Sequence, residues 1–233
     1  DGTITLPTAS DFAGGMDLFD IQGVKIEQSD WNARFSFEMG EITNYWSLSN
    51  GFSHQIIQIY VDKGESATGR TDMLPGANAE IHPDWAWEVV ISGTGEPGAV
   101  YSVQSDTGAT SARGVDVEGD KDSNTIVFTI SKDVIGTDVA SYRYVIVSGS
   151  QDGFGTGKYR DVDETSKTWT LGGGSDPAPD DGIEYDPNVL DIVRMDDQQA
   201  TILAEYDVAN HEFAQLTGFE MPEISQQIYG ASV

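Results

Sequence analysis

Large apolar residues recur at every second position in several stretches of this chain, and that period suits a half-buried strand, not the 3.6-residue period of a helix. Phe35, Phe37 and Met39 alternate with Ser36 and Glu38, and Ile57, Ile59 and Val61 with Gln58 and Tyr60. Trp87, Val89 and Ile91 alternate around Glu88, as do Ile126, Phe128 and Ile130 around Val127 and Thr129. The run from Tyr142 to Val147 is apolar on both faces apart from Arg143, which predicts a central strand. Weaker strands are expected over residues 3–6, 18–27, 99–104, 189–193 and 213–216. The connections are rich in Gly and Asp and spaced as in sandwiches rather than βαβ units. The expected fold class is therefore all-β: an antiparallel β-sandwich, jelly-roll-like, with one short helix in the C-terminal half. That helix is expected over residues 196–206, where two carboxylates face the positive end of the helix dipole and Ala200, Leu203 and Ala204 share a face. A helical turn capped by Ser131 is also expected.

A chain of 233 residues fits a single sandwich domain, residues 1–233, with extended segments at 1–10 and 221–233. The Gly-, Pro- and Asp-rich stretch from 172 to 187 reads as an internal loop. Cysteine is absent, which removes disulfides, thiolate metal sites and thiol nucleophiles. No apolar run approaches the length of a membrane span, and the first residues lack the pattern of a signal peptide, so membrane insertion is not expected. Beginning at Asp1, the chain reads as a mature or excised product.

Charge narrows the partners further. Asp and Glu total 39 against 12 Lys and Arg, a formal net charge of −27. Nucleic acids and anionic membranes are excluded as partners, because binding phosphate requires clustered Lys and Arg. Such an acidic excess makes the compact state repel itself, so screening by salt or bound divalent cations is expected, and a saline habitat with it.

Several catalytic signatures fail on inspection. Gly93-Thr-Gly95-Glu-Pro-Gly98 has the letters of a dinucleotide fingerprint, but a strand and not a helix is expected after it, so nothing would receive a pyrophosphate. Gly153-Phe-Gly155-Thr-Gly157-Lys158 lacks the spacing and the Ser or Thr of a phosphate loop, and no nucleophile elbow is present. His54, His82 and His211 are too scattered for a metal triad. The run from Asp116 to Asn124 misplaces the glycine and glutamate of an EF-hand and reads as a solvated hairpin. No catalytic residue is expected.

The stretch Ser150-Gln-Asp-Gly-Phe-Gly-Thr-Gly-Lys-Tyr-Arg160, with Trp169 and Gly172-Gly173-Gly174, resembles the C-terminal domain of glucodextranases and related bacterial and archaeal amylolytic enzymes. That domain is a β-sandwich allied to family 9 carbohydrate-binding modules. Further matching segments are Phe12–Leu18, Trp46 with Asn50-Gly-Phe-Ser53, Gln55–Asp62, Leu74–Ala77 and Trp85, so the resemblance covers most of the chain. It implies a secreted or cell-surface, non-catalytic module binding an α-glucan or a cell-surface glycan.

Sugar binding needs aromatic faces for stacking and in-plane hydrogen-bonding partners for hydroxyls. The candidate platforms are Trp46, Trp85, Tyr159 and Trp169, with Asn50, Gln55, Gln151 and Arg160 as polar neighbours. For Trp46 and Trp85 a binding role and a packing role stand level, whereas Trp87, in phase with Val89 and Ile91, is expected in the core. The resemblance also implies a structural calcium ion, held by Asp17 with Asp1 and Asp152. The alternative function, of another class, is an extracellular structural subunit of a surface layer, filament or tubule. It would assemble as a homo-oligomer or polymer through exchanged terminal strands and cation bridges. Haem binding ranks last, for want of an identifiable axial ligand.

Overall fold

A computed structural model of the chain describes residues 4–65, 67–175 and 182–221. Two antiparallel sheets face each other. In the smaller, Ile21–Gln28, Asn32–Met39, Thr125–Ser131 and Val115–Asp120 lie side by side in that order. In the larger the order is Val189–Ile192, Arg143–Ser150, Gln55–Asp62, Val89–Thr94, Tyr101–Gln104 and Thr110–Ser111. Phe219–Glu220 adds to the start of Arg143–Ser150. The strand around Tyr142–Val147 is central, as its two apolar faces predict.

Register explains the core between the sheets. Phe35 stands opposite Phe128 and Phe37 opposite Ile126, while Ile146, Ile59 and Ile91 form a row across three strands of the larger sheet. Phe37 meets Phe128 edge to face, with centroids 5.7 Å apart, and Phe35 meets Tyr144 at 5.5 Å across the two layers. Gly93 is part of the same packing: a Cβ there would lie 2.6 Å from the Phe128 ring. Gly93 of the dinucleotide-like run thus serves sheet contact, and the chain runs through the three-residue turn Pro97–Ala99 into Tyr101–Gln104, a strand as expected.

One feature departs from simple alternation. All eight residues of Gln55–Asp62 are buried, including Gln58 and Tyr60, which period-two reading turns toward water. The reason is a second core on the outer face of the larger sheet, where Ile56, Tyr60, Val90 and Val147 are covered by Met73, Ile81, Leu203 and Leu216. Tyr60 accordingly donates to Gln58 Oε1 at 2.5 Å and accepts from the Leu74 amide at 2.9 Å. Trp87 is buried as expected but belongs to this second core, not to the one that holds Val89 and Ile91. Its backbone pairs with Arg70 before the regular strand begins, which breaks the phase.

Smaller elements follow suit. The C-terminal-half helix is present but covers only Gln199–Leu203, because Arg194 takes up Asp196 at 2.6 Å, before the helix starts. Ser131 caps Lys132–Ile135 by accepting from the Asp133 amide. The Asp116–Asn124 run is a hairpin whose turn is closed by Asp120. Among the described residues of the expected 3–6 strand, Thr5 alone forms a bridge, to Gly172 within its own fold, at 2.8 Å in both directions. Residues 1–3 and 222–233, on which most of the terminal-exchange expectation falls, lie outside the described residues. Among the described residues no helix is long and apolar enough to cross a membrane.

Candidate functional site

Three adjacent strands of the larger sheet end at the same level, since Gln55 pairs with Ser150 and Ile56 with Thr94. The loops that leave these ends enclose an open cleft of about 420 Å³. Trp46, Phe154 and Trp169 form its aromatic walls, and Glu96, Gln151 and Asp152 its polar edge. Phe154 is fully exposed and Trp169 is 47% exposed, an unusual amount of ring surface to leave in water. The Phe154 loop is tightly built: a Cβ on Gly155 would lie 1.7 Å from the Tyr159 carbonyl oxygen, so only glycine lets the turn close. The Phe154 amide is held by Asp152 Oδ1 at 2.9 Å.

Arg160 is the floor of the cleft. It is 3% exposed, and its guanidinium donates to Ser150 Oγ (3.1 Å), Asp152 Oδ2 (3.2 Å), the Gln151 carbonyl (3.0 Å) and the Trp169 carbonyl. It also stacks over Phe12 at 5.1 Å and Trp169 at 6.0 Å. Burial pushes its pKa down and Asp152 pulls it up. A guanidinium this fully engaged positions rings rather than reading a ligand.

Behind the wall lies His54, fully buried between Phe12 and Trp46, with both ring centroids 4.7 Å away. Trp46 is fixed from the other side by its indole N–H, which donates to Asp11 at 2.9 Å. Burial first, and then the charge of Arg160, lower the His54 pKa to about 4. Because the folded state disfavours the imidazolium, its contribution to stability is complete above about pH 6.5 and is lost as pH falls toward 4. The shift corresponds to about 3 kcal/mol at most. His54→Phe should therefore flatten the acid limb of the unfolding free energy between pH 6.5 and 4 relative to the parent chain. Parallel limbs for the two proteins would refute that role.

The structure separates the other expected site residues. Gln55 is fully buried and points into the fold, donating to the Leu18 carbonyl at 2.6 Å and the Glu41 carbonyl at 3.1 Å. Asn50 donates to the Thr94 carbonyl at 2.8 Å, tying its loop to a strand end. Tyr159 is 2% exposed, within the second core, and offers no stacking face. Trp85 is half-buried beside the same core, with Arg143 5.0 Å above its ring, and does not line the cleft. Trp46, Arg160 and Trp169 do come together there, along with Gln151.

For calcium, Asp152 is engaged by Arg160 and the Phe154 amide, Asp17 is exposed, and Asp1 lies outside the described residues. Among the described residues no three acidic or imidazole groups stand together as metal ligands. Phe154, Glu96, Phe12 and His54 were missed by sequence reasoning. For Phe154 the available signal was an aromatic residue between two glycines inside a loop. Glu96 and His54 carry no pattern, being brought in by strand register alone.

Two packed antiparallel sheets with an aromatic-walled cleft at their strand ends define a β-sandwich of binding-module type. A family model matches residues 1–218, and the chain belongs to that family: the C-terminal, SLH-like binding modules of glucodextranase. No curated protein matches the chain.

Proposed function

We propose that this chain is an extracellular, non-catalytic carbohydrate-binding module that takes an α-glucan or cell-surface glycan in the Trp46–Phe154–Trp169 cleft. The observation that carries this reading is the exposed ring surface of Phe154 and Trp169 set beside a firmly bonded polar floor. A pyranose ring stacks on such faces while its hydroxyls meet Gln151, Asp152 and Glu96. The family's description as a binding module of an enzyme acting on glucan supports the same assignment.

Affinity electrophoresis through gels containing starch or dextran tests it directly, with retardation as the expected result. Phe154→Ala should weaken retention about tenfold, equivalent to ~1.4 kcal/mol. Because that ring touches solvent on all sides, its unfolding free energy should change by no more than about 0.5 kcal/mol. Unretarded migration on all soluble and insoluble glycans tried would remove the proposal.

A further inference from the structure

We infer that the cleft selects a glycan bearing a free, protonated amino group over its neutral and N-acetylated counterparts, and rejects uronate or sulfated glycans. The inference rests on the carbohydrate-binding reading above. Its basis is which charges at the cleft remain available. Both nearby cations are committed: Arg160 makes the four contacts already given, and Lys158 donates to the Gly153 carbonyl at 3.0 Å and lies 3.3 Å from Glu96. The Trp46 N–H is likewise taken by Asp11.

The carboxylates are only partly occupied. The Glu96 side chain keeps about a third of its surface exposed and meets Lys158 through Oε2, which leaves Oε1 for a ligand. Asp152 keeps lone pairs on both oxygens after one hydrogen bond to each. Gln151, 1% exposed and at the cleft wall, has a side-chain carbonyl oxygen with no hydrogen-bond partner, an acceptor that a ligand donor would satisfy. Acceptors beside the faces of Trp46, Phe154 and Trp169 suit an ammonium group twice over. The carboxylates supply charge-assisted hydrogen bonds and the rings supply cation–π attraction. An anionic sugar meets no free cation here, within a chain of formal charge −27.

The test compares glucosamine oligosaccharides, their N-acetylated forms, and glucose oligosaccharides of equal length by calorimetry in 0.5 M NaCl, which screens the general field of the acidic chain. The amine should bind at least tenfold more tightly than either neutral ligand. Glu96→Gln should reduce that ratio several-fold, whereas Asp133→Asn, exposed beyond the opposite end of the strand Thr125–Ser131, should leave it unchanged. Circular dichroism confirms that each variant is folded. Equal affinity for amine and neutral sugars would overturn the selection while leaving the glycan-binding proposal standing. A preference that survives both Glu96→Gln and Phe154→Ala would also overturn it, as attraction to the bulk charge. Failure of every sugar to bind would end both.

Discussion

Arg160→Met should lower the free energy of unfolding by about 3–5 kcal/mol and abolish ligand binding together with it. The side chain is nearly inaccessible, and its removal strands Asp152 as an unpaired carboxylate while leaving the Gln151 and Trp169 carbonyls without donors. It also takes away the cation stacked between Phe12 and Trp169, so the platform loses its support from below. Urea denaturation measures the first effect, and binding at temperatures well below the midpoint the second. A loss under about 1 kcal/mol would mean that solvent reaches the guanidinium and that the floor is softer than described. Arg160→Lys should recover little of it, since a single ammonium cannot reproduce a forked set of donors aimed at four separate oxygens.

Trp87→Ala should be as damaging, at about 3–5 kcal/mol, because it empties a large volume in the second core. The indole is 1% exposed, stacks edge-on with Tyr60 at 5.9 Å and donates its N–H to the Asp72 carbonyl at 2.9 Å. Two residues away, Trp85→Ala should lose only about 1 kcal/mol, for the ring is half-buried at the margin of that core, with Arg143 stacked over it. Comparable losses at both positions would show that the outer layer packs on the larger sheet differently. Chemical denaturation of the pair, run side by side, is sufficient.

The contrast between these tryptophans shows what the amino-acid order disclosed. Alternation located the long strands and the core between the sheets, because Phe35, Phe37, Ile126 and Phe128 each report one face of a ribbon. It misassigned Gln58 and Tyr60, since polar groups at alternate positions read as a solvent face even where a second layer covers them. What covers them comes from short segments around Met73, Ile81 and Leu216 whose own pattern is too brief to read. The cleft was half legible. Trp46, Arg160 and Trp169 stood in quoted motifs, yet the same motifs hold Gln55, Asn50 and Tyr159, which serve packing and loop anchoring. Polar and aromatic residue types look alike in either role, and only register and burial tell them apart. Glu96 and His54 reach the site through pairings between strands some forty or more residues apart in the chain, a relation that spacing does not encode.

The level ending of three neighbouring strands also fixes a dimension. Adjacent strands lie ~4.8 Å apart, so the backbones that launch Glu96 and Gln151, on the two flanking strands, are separated by about 10 Å. A ligand bridging them is of disaccharide scale, and lengthening the oligomer much beyond that should bring diminishing gains in affinity. The width of a sheet, set by backbone hydrogen bonding alone, thereby becomes a ruler for chain length in whatever polymer the loops receive.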